Sequence, residues 1–340
     1  MKHAGMTLTA LAMIAATGAF AQAAAPLPAG TPDGLYAVVA TPRGTIVLEL
    51  FPDKAPLAVA SFVGLAEGAF TGTGKPYFDG IVFHRVEPGF VIQGGDPTGT
   101  GSGGPGYRFP NEIDPSLSFD SAGVLGMANA GADTNGSQFF ITLAPAKALD
   151  GGYTIFGRVH SGMDAVRAIR AGDPMTSVRI VRRGATAEAI QPDRASFDAA
   201  VSRYRADAPA RAKAAVQAQV DRISARHPGL KLAKNGSWWL TLKAGDGFKP
   251  RTGTRVSVLY TLTSADGTVL DSTASRGDEP FSFVVGARQV VPGFDAAVAD
   301  MSYGEKRIVV LPPELAYGAA GIPGAIEPNA VLVFEIELLK

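Results

Sequence analysis

The stretch Phe83-His-Arg-Val-Glu-Pro-Gly-Phe-Val-Ile-Gln-Gly-Gly-Asp96 decides how the N-terminal half of this chain folds. Pro88-Gly89 marks a turn in the middle of it. The turn can bring Arg85 onto the same patch of sheet as Phe90 and Gln93. That patch would carry a fixed cation, an aromatic ring and an amide.

A second stretch, Met127-Ala-Asn-Ala-Gly-Ala-Asp-Thr-Asn-Gly-Ser-Gln-Phe-Phe140, adds polar hydrogen-bonding groups and two more rings. Together the two stretches resemble the cyclophilin family of peptidyl-prolyl isomerases, and the resemblance covers about half of the chain. It implies a closed antiparallel β-barrel with two capping helices over residues 35–184. Many short apolar runs separated by turn residues are typical of such a barrel.

The resemblance implies an active site assembled from both stretches. It places the catalytic arginine at Arg85 and a pocket for the proline ring beside it. Other positions match residues that hold the substrate backbone or orient the arginine. The residues assigned catalytic contributions are Arg85, Phe90, Gln93, Asn129 and Phe140, and those assigned substrate contacts are Val91, Ala128, Gln138, Leu149 and Tyr153.

Isomerisation of a prolyl bond needs neither a nucleophile nor a metal ion. Rotation faces a barrier of about 18–20 kcal/mol from C–N resonance, and the twisted amide regains a lone pair on its nitrogen. A donor aimed at that nitrogen binds the transition state more strongly than the ground state. Arg85 suits this role because its guanidinium is permanently charged, and the alternative is a surface salt bridge. His84 is read as structural, because the reaction removes no proton.

The composition indicates two or three globular domains. The chain has 340 residues, 46% of them apolar, which is enough for real cores. Its 31 basic and 31 acidic residues give a net charge of zero, so no nucleic-acid partner is expected. Cysteine is absent and the four histidines are scattered, so neither a metal site nor a cofactor is expected.

The N-terminus is typical of a cleavable export signal. Lys2 and His3 form a basic start, residues 6–20 are apolar, and Ala19-Phe-Ala21 fits a small-x-small cleavage pattern. We therefore predict a signal peptide over residues 1–21 and a periplasmic mature protein. The alternative is a membrane anchor, but the run is too short to span comfortably. No membrane span is expected after cleavage.

A linker is expected over residues 22–34, before the first domain. The spacing of apolar residues predicts the remaining elements of that domain. Alternating apolar residues predict strands, and Pro56 opens a helical pattern that Gly68 ends. Ile81-Val-Phe83 is also strand-like. The other expected strands cover residues 35–40, 45–50, 123–130, 138–143, 153–159 and 178–181, and a second helix covers residues 163–171.

A glycine-rich segment, Gly99-Thr-Gly-Ser-Gly-Gly104, formally fits the GxGxxG pattern of dinucleotide-binding proteins. That interpretation requires a helix to begin there, so that backbone N–H groups meet a pyrophosphate. Pro105 and Gly106 follow instead, and no helical pattern starts. The segment is better read as a glycine loop beside the groove.

Residues 185–229 differ in character, being rich in Ala and in Arg, Asp and Gln. Two narrow apolar stripes recur at helical spacing, and Pro209 should break the segment between them. The stripes are Phe197, Val201 and Tyr204, and then Val216, Val220 and Ile223. They indicate either a connector resting on the neighbouring domains or an arm for homodimerisation or for holding client proteins.

Over residues 230–340 the apolar residues again recur with a period of two. Strands are expected over residues 238–242, 256–262, 281–285, 308–311 and 331–339, with one helix over residues 292–301. A sheet wrapped on a short helix is an α+β arrangement. The motifs Val290-Val-Pro-Gly-Phe294, Leu315-Ala-Tyr-Gly318 and Val333-Phe-Glu-Ile-Glu337 resemble the FKBP family of isomerases.

The FKBP resemblance implies a second proline pocket with aromatic walls. Val290 and Val291 match its rim, while Asp271 and the Tyr317 hydroxyl match its polar contacts. The residues assigned to this site are Tyr260, Asp271, Phe283, Val290, Val291, Phe294, Tyr317 and Phe334. The simpler interpretation of the aromatic residues is hydrophobic core, which we expect to hold in part for Phe281 and Phe334.

The sequence thus predicts an exported peptidyl-prolyl cis-trans isomerase with two sites. Its partners would be proline-containing unfolded or partly folded proteins. The alternative is a periplasmic holdase chaperone in which one or both pockets are weakly active.

Overall fold

The computed structural model describes residues 27–322 and 324–340. The predicted signal peptide, residues 1–21, lies outside the described residues. Within the described part, fifteen strands and six α-helices form two antiparallel sheets joined by a helical segment.

The N-terminal half is an eight-stranded antiparallel sheet with strand order β3-β4-β6-β5-β7-β2-β1-β8. Its first hairpin pairs Val38 with Val47, and both residues are buried. The strands are β1 (Gly34–Thr41), β2 (Gly44–Leu50), β3 (Arg85–Glu87), β4 (Val91–Gly94), β5 (Val124–Met127), β6 (Phe139–Thr142), β7 (Ile155–Ser161) and β8 (Ser177–Arg183). The six strands expected over residues 35–50 and 123–181 are therefore present, with ends that move by at most three residues.

The segments that precede the two edge strands hydrogen-bond to each other. The Gly80 N–H donates to the Met175 carbonyl over 2.7 Å, and the Phe83 N–H donates to the Asp173 carbonyl over 2.9 Å. The strand-like run at residues 81–83 is therefore not a strand of the sheet. It contributes an isolated bridge between Val82 and Pro174, and β3 begins only at Arg85.

Helix α1 (Pro56–Ala66) crosses the core of this half, and α2 (Met163–Ala168) packs near β2. Proline fits the first turn of α1 because its missing N–H would have no partner there. Helix α2 ends three residues earlier than expected, because Ile169 has extended backbone with ψ 139°. The core contains a cluster of rings that includes Phe62, Phe78 and Phe139.

The connecting segment consists of α3 (Ala185–Glu188), α4 (Arg194–Ala206) and α5 (Ala208–Arg226). The Asp193 carboxylate accepts a hydrogen bond from the Ser196 N–H over 2.9 Å and so caps α4. The break predicted near Pro209 falls at Asp207, and the proline occupies the first turn of α5.

The two apolar stripes of this segment pack on different halves of the chain. Phe197 and Val201 of α4 are buried in the N-terminal core. Val220 and Ile223 of α5 are buried in a cluster with the C-terminal sheet. Contacts within the same chain thus cover the stripes that homodimerisation or client holding would require to be exposed.

The C-terminal half is a seven-stranded antiparallel sheet in which β13 pairs with β11 beside the path β12-β11-β15-β14-β10-β9. Its strands are β9 (Lys231–Leu232), β10 (Trp238–Lys243), β11 (Arg255–Thr263), β12 (Val269–Ser272), β13 (Phe281–Val284), β14 (Lys306–Leu311) and β15 (Leu332–Leu338). Strands β9 and β12 were not predicted, and β9 has only two residues, which is too few to show a period. Helix α6 (Pro292–Asp300) lies where a helix was expected.

The two faces of this sheet have different partners. Val309 and Phe334 belong to the cluster that contains α6, whereas Ile308 and Val333 belong to the cluster that contains α5. Successive side chains of a strand point to opposite faces, so α5 covers the face opposite α6. Helix α5 therefore contributes to the core of the C-terminal half.

Within the described residues, no helix combines the length and the apolar character needed to cross a membrane.

Candidate active sites

Three predicted site residues form a row across neighbouring strands of the first sheet. Arg85 on β3 is opposite Gln93 on β4, and Gln93 is opposite Phe140 on β6. Direct cross-strand partners project to the same face of a sheet. The next residue in the row is Gly126 on β5, where a Cβ atom would lie 2.6 Å from the ring of Phe140. Glycine at this position leaves room for that ring.

The guanidinium of Arg85 is held on two sides. Nη1 donates to Oε1 of Gln93 over 3.1 Å, while Nε and Nη2 donate to Oε1 of Glu87 over 3.0 and 2.7 Å. The Arg85 side chain is nevertheless 44% exposed. It is therefore oriented by neighbours and still accessible to a ligand.

An apolar cluster lies beside this row. Phe140 stacks on Phe119 at 5.4 Å between ring centroids and meets Tyr153 edge-on at 5.7 Å. Six of the predicted residues belong to this cluster: Phe90, Val91, Ala128, Phe140, Leu149 and Tyr153. The predicted cation and the predicted pocket residues therefore lie next to each other.

The glycine loop is fixed by a buried carboxylate. Asp96 is 1% exposed and accepts hydrogen bonds from the N–H groups of Thr98, Thr100, Gly101 and Gly103. Burial by itself raises the pKa of Asp96, but hydrogen bonds from Thr98, Gly103 and Gly101 outweigh it and lower the pKa to about 2. The loop is a folded wall of the groove, and no helix begins in it.

Gln138 joins this loop to the arginine. Its amide nitrogen donates to the carbonyls of Gly101 and Gly103, both over 2.9 Å. Its carbonyl oxygen accepts from the amide of Gln93 over 2.9 Å. A continuous series of hydrogen bonds thus runs from the glycine loop to Arg85.

Asn129 and His84 lie at the margin of this arrangement. Asn129 donates to the Gly152 carbonyl over 3.0 Å and does not contact the series of hydrogen bonds that ends at Arg85. Neither ring nitrogen of His84 hydrogen-bonds to an atom of the described residues, and burial lowers the pKa of this histidine. An enclosed ring without hydrogen-bond partners among the described residues agrees with a structural role for His84.

The second predicted site is an aromatic cluster on the inner face of the C-terminal sheet. The Tyr260 ring lies 5.9 Å from the ring of Phe294 and 6.4 Å from that of Phe334, between centroids. Phe283 and Phe334 are buried, but Phe281 is 37% exposed. The ring of Phe281 still lies 5.9 Å from that of Tyr260 and 6.0 Å from that of Phe283, between centroids. Phe281 is therefore partly core, as expected.

The polar groups of this site are already paired with each other. The Tyr260 hydroxyl donates to Asp271 over 2.5 Å, and Arg276 donates to Asp271 and to the Tyr260 hydroxyl, both over 2.9 Å. The hydrogen bond from Tyr260 is the main cause that lowers the pKa of Asp271. Val290 and Val291 pack on the same cluster, and Tyr317 is 37% exposed.

Comparison with known proteins finds an isomerase family for each half of the chain. Residues 36–185 match the model of the cyclophilin type peptidyl-prolyl cis-trans isomerases, and residues 247–339 match that of the FKBP-type peptidyl-prolyl cis-trans isomerases. Peptidyl-prolyl cis-trans isomerase A of Mycobacterium tuberculosis is 54% identical over 131 residues, which cover 36% of this chain and 72% of the relative. The chain belongs to the cyclophilin-type peptidyl-prolyl isomerases. It carries an FKBP-type domain as well.

Two further relatives of the cyclophilin domain come from other organisms. Peptidyl-prolyl cis-trans isomerase-like 1 of Neurospora crassa is 49% identical over 153 residues, which cover 42% of this chain and 90% of the relative. Peptidyl-prolyl cis-trans isomerase B of Streptomyces anulatus is 50% identical over 147 residues, which cover 40% and 84%.

Six residues of the cyclophilin-type site were missing from the sequence prediction. Glu87 lies two residues after Arg85 on the same strand, so the period of two could have indicated it. Phe119 and Ile155 also belong to the apolar cluster, together with Leu117, Val124 and Ala146. They lie outside the two motif stretches, and only the fold brings them to the groove.

Neither half offers an obvious metal centre. Among the described residues, no group of three or more histidine, aspartate or glutamate side chains is placed to hold a metal ion.

Proposed function

We propose that this cyclophilin-FKBP fusion catalyses prolyl isomerisation at two sites and that Arg85 is the catalytic residue of the first. The observation that carries the proposal is the row Arg85, Gln93 and Phe140, which joins an accessible cation to an apolar cluster. The cluster would grip the proline ring and exclude water. The guanidinium would then donate to the nitrogen of the twisted amide, where the lone pair develops.

The other cyclophilin-domain residues have supporting roles in this proposal. Gln93, Glu87 and Gln138 would orient the guanidinium before substrate arrives, which lowers the cost of ordering it during reaction. Asn129 and Ala128 would contact the substrate backbone. We also infer that the eight-stranded sheet closes into a barrel through the bonds between residues 80–83 and 172–175.

Compared with the cyclophilin-type site, the FKBP-type site would depend less on a charged side chain and more on aromatic surface. Tyr260, Phe294 and Phe334 would enclose the proline, and Val291 would offer backbone groups at the rim. Asp271 is shared between Tyr260 and Arg276, so it would act by fixing these side chains.

We further propose that the chain is exported and assists the folding of proline-containing periplasmic proteins. The apolar N-terminal run with its small-x-small pattern supports export. A holdase function has less support, because Phe197, Val201, Val220 and Ile223 are buried within the chain. Cell fractionation and N-terminal sequencing test export, and a cytoplasmic protein that retains Met1 would contradict it.

Four versions of the full chain separate the two sites: wild type, Arg85→Ala, Tyr260→Ala and the double variant. Isomerisation of short proline peptides is followed by NMR exchange. We expect Arg85→Ala to lower turnover at the first site by about 10²–10³-fold, so that the remainder belongs to the second. If the double variant isomerises the peptides as fast as Tyr260→Ala alone, Arg85 is excluded as the catalytic residue.

A further inference from the structure

A cavity of about 960 Å³ adjoins the cyclophilin-type groove. Gln93 and Gln138 line it on the side of the catalytic row, and the glycine loop over residues 101–106 lines another side. Arg205, near the end of helix α4, also lines it. The connecting segment therefore contributes a side chain to a cavity of the isomerase domain.

The charged residues that line this cavity are both arginines. Arg205 donates from Nη2 to the Arg108 carbonyl over 3.2 Å, and both residues line the cavity. No aspartate or glutamate is among the lining residues. In the part of the chain that the structure describes, neither Arg108 nor Arg205 forms a salt bridge.

Two carboxylates that hydrogen-bond to lining residues or adjoin them in sequence accept backbone hydrogen bonds. Asp96 lies beneath the glycine loop and accepts several backbone hydrogen bonds. Asp133 accepts a hydrogen bond from the Asn111 N–H over 2.8 Å. Among the described residues, neither carboxylate forms a salt bridge with Arg108 or Arg205.

Helix α4 is fixed on the isomerase domain by several contacts. The ring of Phe197 is buried against those of Phe70, Tyr107 and Phe109. The Tyr204 hydroxyl donates to the Asn111 carbonyl over 3.0 Å. These contacts hold the helix that carries Arg205 at the edge of the cavity.

We propose that Arg205, together with Arg108, makes the cyclophilin-type site selective for proline segments that carry an acidic side chain near the proline. Gln93 belongs to the catalytic row and also lines the cavity. An extended chain advances about 3.3 Å per residue, so residues close to a bound proline reach the cavity. A carboxylate there meets two planar guanidinium forks, which suit its geometry.

The test uses the full chain and pairs of proline peptides that differ only by Glu or Gln at one position. The varied position runs from three residues before the proline to two after it. Turnover that remains in Arg85→Ala belongs to the FKBP-type site and is subtracted. We expect the Glu peptide to have about a two- to fivefold higher kcat/KM at one or more positions, through a lower KM. The excess should shrink as salt is raised.

Arg205→Glu should bring the Glu-to-Gln ratio of kcat/KM below one. Arg203→Glu is the matched control, because it makes the same charge change on the same helix and residue 203 does not line the cavity. It should leave the ratio as in the wild type. Equal kcat/KM of the wild type for the Glu and Gln peptides would overturn the proposed selectivity. An equal fall of the Glu-to-Gln ratio in Arg205→Glu and Arg203→Glu would overturn it as well. Neither result affects the isomerase function, which the Gln peptides report.

Discussion

Nη1 of Arg85 donates a hydrogen bond over 3.1 Å to Oε1 of Gln93, the residue directly opposite it between β3 and β4. The amide nitrogen of Gln93 then donates to Gln138, and that of Gln138 donates to the carbonyls of Gly101 and Gly103. Each amide accepts at one end and donates at the other. The orientation of Arg85 therefore depends on a loop that lies beyond the neighbouring strand.

Gln138→Ala should lower kcat/KM of the cyclophilin-type site by about three- to tenfold. A hydrogen bond contributes about 0.5–1.5 kcal/mol, and this substitution releases the amide of Gln93 from its acceptor. NMR exchange on a proline peptide measures the effect. Gln191→Ala is the control, because Gln191 is exposed in the connecting segment and bonds only to the Glu188 carbonyl. Wild-type turnover in Gln138→Ala would mean that Arg85 is oriented without this series.

Gly103→Ala should destabilise the N-terminal half and reduce its turnover, whereas Gly104→Ala should do neither. A Cβ atom on Gly103 would lie 2.0 Å from Oδ1 of Asp96, but one on Gly104 meets no atom within 4 Å. We expect a loss of about 1–3 kcal/mol in the free energy of unfolding for Gly103→Ala and less than about 0.5 for Gly104→Ala. Amide hydrogen exchange of β1 measures the free energy of unfolding of both variants. Equal effects would show that the loop is not held by Asp96.

The row of Arg85, Gln93 and Phe140 was predictable because its residues lie in two short motifs whose spacing survives in the fold. Arg85, Gln93 and Phe140 are each placed by strand register. Arg205 was not predictable, because the stripe of α4 indicates an apolar contact but not the surface it contacts.

Tyr260→Phe should lower turnover at the FKBP-type site by about three- to tenfold and leave the fold intact. The ring stays in the aromatic cluster, but Asp271 and Arg276 lose the hydroxyl between them. The measurement uses an Arg85→Ala background, so that the second site is observed alone. Tyr303→Phe is the control, because Tyr303 packs on the same cluster and its side chain makes no hydrogen bond within the described ranges. A similar loss in both variants would contradict a specific role for the Tyr260 hydroxyl.

Glu112 should make the stability of the cyclophilin domain depend on pH near neutrality. Its side chain is 3% exposed and accepts hydrogen bonds from the Leu57 and Ala58 N–H groups at the start of α1, over 3.0 and 2.9 Å. Burial raises its pKa to about 7, although these donors and Arg211 oppose the shift. The native state therefore binds a proton more tightly than the unfolded chain does.

A raised native pKa stabilises the fold at low pH, and this stabilisation is lost as the pH rises through about 7. Between pH 5 and pH 8 the group should remove about 2–3 kcal/mol from the free energy of unfolding. Glu112→Gln does not titrate, so the difference between wild type and variant isolates this contribution from those of His84 and other groups. Exchange of the buried β1 amides at several pH values measures it. Parallel pH profiles of the two proteins would show that Glu112 keeps an ordinary pKa, because the α1 donors then offset the cost of burying its charge.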